Sequence, residues 1–540
     1  MGENIVILLN NTDMTTQAPN KFLSPVGFQD ILVLLALHSL VAVQLVGFAD
    51  DPGLGWHLAA GHWSISHASV PTSDPFLALE TARPWISTQW LSDVLLWSLY
   101  NLGSWPLLYS FFTIVFAFTF LGLLYRTLTQ VSGSYLLSSL ALIVAFKIAQ
   151  VHFILRPVVF GFFFFVLVFG YVAKMYRSTQ SGEETSASLR RMFFLLPLLF
   201  VAWANLHPTF PLGLLLVALL PVGVWLDRFS GLRKSLSTEV SIRALFLLLG
   251  VCVLATLCNP YGYRLHEEVF LQFGNFAATH FEEWAPVDFR RLEGQLFQFS
   301  IAMVLLGFFL ESSLRARIGW FGILSILVFG HLGASVLRCV PYFGIVVSLP
   351  LVYAFQTLGS SELLARIPRA EWYLEKLSLL ESREKRSLHG YAVLSAVLLL
   401  LLVDCTANRK LLLYEGPFGP SFDRFPYAAL DVVKETSLSE GQIVIAAPLA
   451  WGGFITLYGE GSMKAIIDDR GTMIGDDFYN AYYDALKVGS DWMTYLSERG
   501  ANRLLLPAND PLAIFIKQTG EALPLFEDSH SILFELPSQR

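Results

Sequence analysis

The chain has 540 residues, 54% of them hydrophobic and 15% charged, with a net charge of −7. A soluble globular chain carries roughly 25% charged residues, so the composition excludes a wholly soluble protein. No basic patch with interleaved aromatics points to nucleic acid, and the net charge says little about partners because the charges segregate along the chain.

Residues 1–28 lack a basic n-region and a small-residue cleavage site, so they read as a cytoplasmic N-terminal segment ahead of a retained first helix at 29–49. A bilayer is crossed by about 20 apolar residues. Such runs recur near 104–125, 134–152, 157–175, 192–206, 209–226, 243–258, 297–310, 319–337, 340–357 and 389–404, which predicts eleven transmembrane helices in all. Lys and Arg concentrate in alternate loops: Arg126; Lys174, Arg177, Arg190 and Arg191; Arg228 to Arg243; Arg315 and Arg317; Arg366 to Arg386. Those loops are assigned to the cytoplasm. The alternation places the N-terminus inside the cell (inner) membrane and everything after residue 405 outside it.

The fold class expected is therefore a polytopic α-helical membrane domain over 29–405, followed by a small extracytoplasmic α/β domain over 406–540. Two outer loops are long, 50–103 and 259–297. Within the first, Gln89 to Trp97 reads as an amphipathic interfacial helix. In the C-terminal part, Gln442 to Ala446, Lys464 to Ile467, Arg503 to Pro507 and Ser531 to Glu535 read as strands. Asp491 to Arg499 reads as a helix capped by Asp491 and stopped by Gly500. The four cysteines, Cys252, Cys258, Cys339 and Cys405, form no CxxC pair and read as small apolar residues.

Candidate chemistry gathers at the outer rim. Asp51, at the outer end of the first predicted span, has the position to deprotonate an acceptor or to hold a divalent cation; the plain alternative is a turn before Pro52. Asp74, before Pro75, reads as a second acid or as an Asx-turn. His57 beside Trp56 reads as a substrate contact. His57, His62 and His67 are spaced by five, so they share no helical face and make a weak metal cluster. Arg156 and Arg338 sit at outer helix ends, where guanidinium forks suit phosphate oxygens, or where they reach the lipid headgroups. Asn205 and His207 lie at the same level as substrate contacts or helix caps. Glu283, with Glu282, Trp284 and Asp288, forms a patch suited to sugar hydroxyls and sugar faces, or a solvated surface. Asp468-Asp469-Arg470-Gly471 reads as a turn rather than a metal site. Whether a cofactor such as a divalent cation takes part is left open by these residues.

In order along the chain, Asp51-Pro-x-x-x-Trp56-His57, Val70-Pro71-x-x-Asp74-Pro75-Phe76, Gln89-Trp90-Leu91, Arg156-Pro157, Asn205-Leu-His207, Asn259-Pro-Tyr-Gly262, Glu283-Trp284, Arg338-x-x-Pro341, Trp451-Gly452-Gly453-Phe454, Ile467-Asp468-x-Arg470 and Leu504-Leu-Leu-Pro507 together resemble a large bacterial family of multi-pass membrane proteins grouped with the GT-C glycosyltransferase superfamily. That resemblance implies transfer of a sugar from a polyprenyl-phosphate donor on the outer face. It makes Asp51 the catalytic base or metal contact, Asp74 the second acid, and Arg156 and Arg338 the holders of the lipid phosphate. The implied partners are the polyprenyl-phosphate-linked sugar, membrane lipids and a protein docked on the C-terminal domain. The chain departs from the pattern at Gly53 and Gly55, where many members carry acidic and aromatic residues, and at Pro208. Two other readings are a non-catalytic membrane subunit and a lipid or solute transporter; for the latter Lys147 is the main charge inside a span.

Overall fold

The computed structural model describes residues 47–79, 83–181, 185–232, 241–272, 280–359, 370–384, 418–440 and 442–536. The predicted spans at 29–49 (all but its last three residues) and 389–404, and Cys405, lie outside the described residues. The other nine predicted spans are all helices. Eight of them are long and apolar enough to cross a membrane; the ninth, Ile242–Ala255, is shorter.

The helices that matter for the site are α1 (Leu54–His67), α2 (Trp90–Ala117), α3 (Tyr135–Ala149), α4 (Val158–Ser181), α5 (Thr185–Leu206), α6 (Phe210–Ser230), α7 (Ile242–Ala255), α8 (Leu292–Leu310), α9 (Ser312–Ser335) and α10 (Val340–Gly359). α2 is two helices joined at a sharp bend. Ser104 takes φ 55°, and Pro106, which has no N–H to lose, opens the apolar half. The amphipathic segment from Trp90 thus lies at an angle to the span that follows. α9 breaks at Gly319, whose φ of 62° suits glycine. The helix restarts with its orphan N–H groups capped: Trp320 N–H donates to Asp227 at 3.0 Å and Phe321 N–H to the Tyr176 hydroxyl at 3.2 Å.

Beyond residue 418 a five-stranded sheet forms, in the order β2-β1-β3-β5-β4. Its strands are β1 (Ile443–Ala446), β2 (Met463–Ala465), β3 (Arg503–Pro507), β4 (Leu523–Glu527) and β5 (Ser531–Glu535). β1 pairs in parallel with β2 and β3, whereas β5 pairs antiparallel with β3 and β4. β3 is buried along nearly its whole length, as its continuous Leu504-Leu505-Leu506 run requires. β4, exposed or half-exposed along its whole length, carries no such pattern.

The apolar cores divide the chain differently from the predicted boundary at 405. One core runs through the helical bundle. The second contains the sheet and its helices, and with them Trp56 and Ala60 of α1 and Leu77 and Trp85 of the first outer loop. That loop also caps the sheet edge, where Ala78 N–H donates to the Ala465 carbonyl at 2.9 Å. The first outer loop is therefore shared between membrane domain and sheet domain.

Candidate active site

The seam between α1 and the sheet domain is unusually close. A Cβ on Gly55 would stand 2.0 Å from the carbonyl oxygen of Gly453, so only glycine fits. A Cβ on Gly53 would lie 2.9 Å from a carboxylate oxygen of Asp469 and 3.1 Å from one of Asp51. The missing side chain at 53 leaves the space into which the loop after β2 delivers Asp469, and that at 55 admits the backbone of Gly453.

Around that point carboxylates from three segments converge on Arg156, which stands in the turn between α3 and α4. Its guanidinium lies 3.2 Å from Asp51, 3.4 Å from Glu283 and 3.6 Å from Asp469. Arg338, between α9 and α10, meets the other oxygen of Glu283 at 3.4 Å and lies over the Trp284 ring at 4.9 Å. Asp469 accepts a 2.7 Å hydrogen bond from the Trp56 indole N–H, across 413 residues of sequence. These groups border a cleft of about 760 Å³, counted with its open mouth; its wall includes Trp56, Arg156, His207, Glu283, Arg338 and Asp469.

The electrostatics sort the acids. Burial pushes the Glu283 carboxyl up, but Arg338 and Arg156 outweigh it and hold it at about 2. Burial likewise raises Asp469; Arg156 pulls it back only in part, and the neighbouring charges of Asp51 and Asp468 push further, leaving it at about 7. Asp51 is also raised by burial, against the pull of Arg156. Arg156 is held more firmly protonated than a free arginine: burial opposes its charge, but Asp51, Glu283 and Asp469 prevail. His207 is pushed well down by burial and by Arg338 and Arg156, so it faces the cleft neutral. Its Nδ1 sits 2.8 Å from the Thr209 hydroxyl.

The sequence-predicted residues separate into two groups. Trp56, Arg156, His207, Glu283 and Arg338 are brought together on the cleft wall. Asp51 stands behind Arg156, its carboxylate engaged by that guanidinium and by the Gly53 N–H at 2.9 Å. Asp74, His57 and Asn205, expected at the site, do not line the cleft. Asp74 is paired with Arg470 at 2.7 Å and accepts the Leu77 N–H at 2.9 Å. Arg470 also pairs with Asp468 at 2.7 Å and lies over the Trp85 ring at 4.6 Å. This buried Asp–Arg–Asp cluster ties the first outer loop to the sheet domain, so Asp74 is a structural anchor.

His57 is fully buried, with Nδ1 2.6 Å from Asp93 and Nε2 3.2 Å from the Gln89 amide nitrogen. Burial, followed by Arg156, lowers its proton affinity well below the usual value. The neutral ring with its proton on Nδ1 satisfies both contacts, a tautomer assigned from that network. His57 thus orients Gln89, which does line the cleft. Asn205 accepts from the Trp90 indole at 2.9 Å and donates to the Val201 and Cys258 carbonyls, so both its N–H groups are engaged away from the cleft.

The three carboxylates converge on a guanidinium, and among the described residues no three His, Cys, Asp or Glu are grouped to hold a metal. Sequence reasoning missed Asp469. Its Asp-Asp-Arg-Gly setting reads locally as a turn, and the signal that could have found it is the pair Gly53 and Gly55 opposite Gly452-Gly453, a mark of close backbone approach.

No family model matches the sequence, and no curated protein sequence matches it. Solved structures do. AglB, the oligosaccharyltransferase of Archaeoglobus fulgidus, in complex with an inhibitory peptide and a dolichol-phosphate, superposes with a TM-score of 0.53 at 11% identity, over 89% of this chain and 69% of that one. An Archaeoglobus fulgidus oligosaccharyltransferase tethered with an acceptor peptide gives 0.53 at 10% identity over the same shares. ArnT of Cupriavidus metallidurans, bound to undecaprenyl phosphate, gives 0.46 at 12% identity over 93% of this chain and 97% of that one. At such identities the likeness concerns fold alone: over 89% of its length this chain shares the fold of AglB.

Proposed function

We propose that the cleft transfers a sugar from a polyprenyl-phosphate donor to an acceptor hydroxyl on the outer face of the membrane. The observation that carries this reading is the convergence, at one end of the helical bundle, of two arginines with a carboxyl poised near neutrality on a single open cleft. The dolichol-phosphate bound to AglB supports a lipid-phosphate partner.

Arg156 and Arg338 hold the donor phosphate, their guanidinium forks matching its oxygens. Asp469 accepts the acceptor proton; the freed oxygen attacks the anomeric carbon; the bond from that carbon to the phosphate oxygen breaks with inversion. The phosphate leaves with the electron pair, and its growing charge is met by the two guanidiniums. Asp51 and Glu283 act through Arg156 and Arg338 as positioning residues. Lys147, the charge a transporter would need inside a span, donates instead to Gln150 at 2.8 Å near the end of α3.

Two outcomes follow. Because the base must be ionised, transfer from a polyprenyl-phosphate-linked sugar is expected to be full above pH 7 and to fall about tenfold per unit below it. A pH–rate profile checks this, and a flat profile between pH 5.5 and 8 removes Asp469 as base. Because Arg156 supplies the central positive charge, transfer measured in EDTA is expected to equal transfer with added Mg²⁺ or Mn²⁺; strict dependence on a divalent ion would overturn the arginine-centred arrangement.

A further inference from the structure

At the same end of the bundle as the cleft, a roomier groove opens between α1, the first half of α2 and the sheet domain. It holds about 830 Å³ of free room, toward the upper end of the roughly 300–1,000 Å³ of small-molecule sites. α1 contributes His62 and Trp63 to its wall, and α2 contributes Trp97 and Trp105. Trp105 stands at the bend where the apolar half of α2 begins. On the facing wall are Glu460 and Lys464, the first just past the helix Leu449–Gly459 and the second in β2.

The three indoles are half-buried and are held by other rings. The His62 imidazole stacks on Trp97 at 4.4 Å, the His67 imidazole stacks on Trp63 at 4.3 Å, and Tyr100 meets Trp105 edge-on at 5.0 Å. A single tryptophan at a membrane surface needs no ligand to explain it. Three that line one groove, with their orientations fixed in advance, form platforms that a ligand engages at little cost in side-chain entropy.

Polar groups stand among and opposite these rings. His62, Glu460 and Lys464 make no side-chain hydrogen bond or ion pair among the described residues, so water solvates them. An acyl chain laid in the groove would remove that water and return no hydrogen bond. A bare anion is disfavoured by the Glu460 carboxylate on the same wall as Lys464. A sugar ring meets both demands. One of its faces is a patch of C–H groups that settles on an aromatic face, the negative side of the ring quadrupole. Its rim is a set of hydroxyls, each able to replace a water on a histidine, carboxylate or ammonium.

We propose that this groove binds an uncharged oligosaccharide, its ring faces on Trp63, Trp97 and Trp105 and its hydroxyls toward His62, Glu460 and Lys464. The assignment concerns binding alone and does not depend on the transfer proposed for the cleft.

The test uses the full chain in phosphatidylcholine nanodiscs, free of glycoside detergent. The discs are applied to an array printed with uncharged oligosaccharides of hexoses, deoxyhexoses and N-acetylhexosamines, and with unglycosylated peptides. The wild type is expected to capture oligosaccharides in preference to peptides. Trp63→Ala with Trp97→Ala is expected to weaken capture by about tenfold or more, the loss that follows removal of an aromatic anchor. Trp63→Ala alone weakens it in the same direction and serves if the double variant does not fold. Trp225→Ala, which removes a 51% exposed tryptophan off the groove, keeps it. A wild type that captures no oligosaccharide, a preference for the peptides, or capture that survives loss of Trp63 would each overturn the assignment.

Discussion

Asp469→Asn is expected to lower transfer by about 10²- to 10⁴-fold, the range that general-base catalysis supplies, while leaving the fold intact. The amide retains a carbonyl oxygen for the Trp56 indole, so the 2.7 Å bond that seats the residue survives. The proton acceptor alone is lost. Asp51→Asn should behave otherwise. Its carboxylate lies behind Arg156 and off the cleft wall, so the variant raises the donor KM more than it lowers kcat, and it moves the acid limb of the pH profile to lower pH, because the Asp51 charge that helps raise Asp469 is gone. Steady-state kinetics with a polyprenyl-phosphate-linked sugar separate the two. If Asp51→Asn abolishes turnover while Asp469→Asn is mild, the base is Asp51, as the sequence resemblance alone implies.

The second large effect concerns the union of loop and sheet. Arg470 is 3% exposed at its side chain and compensates Asp74 and Asp468, at 1% and 0%. Arg470→Met leaves two carboxylates buried without a cation, each held only by backbone N–H groups. Breaking a buried pair in this way costs about 3–5 kcal/mol. The loss falls on the seam between α1 and the sheet domain, not on the helical bundle. Limited proteolysis of the purified protein should therefore release the C-terminal domain at a temperature where the wild type resists, while helical circular dichroism stays unchanged. Transfer should vanish with the domain, since Asp469 leaves with it. A variant that melts like wild type would show that the cluster contributes no net stability.

The helical architecture was legible because hydrocarbon imposes a length and a composition: nine apolar runs predicted from sequence are helices among the described residues. β1, β3 and β5 were legible from short continuous apolar runs, and the Asp491 cap from its place before a helix, where its side chain accepts the Thr494 N–H. β4 was not legible, since its half-exposed residues lack that signature. Within the site, Arg156 and Arg338 announced themselves as charges at outer helix ends, and Glu283 as part of an acidic and aromatic patch in the second long loop. Asp74, His57 and Asn205 have the same local appearance, and only tertiary pairing reveals that Arg470, Asp93 and Trp90 already engage them. Asp469 lay hidden for the converse reason: what distinguishes it from a turn aspartate is a tryptophan hundreds of residues upstream and an empty volume above two glycines.

That glycine seam has a bearing on biogenesis. On the proposed assignment, the acid is furnished by a segment that follows the described membrane helices in the chain, so a nascent polypeptide with those helices already inserted still lacks its proton acceptor. The proposed chemistry would then begin only once the segment carrying Asp469 has docked against α1.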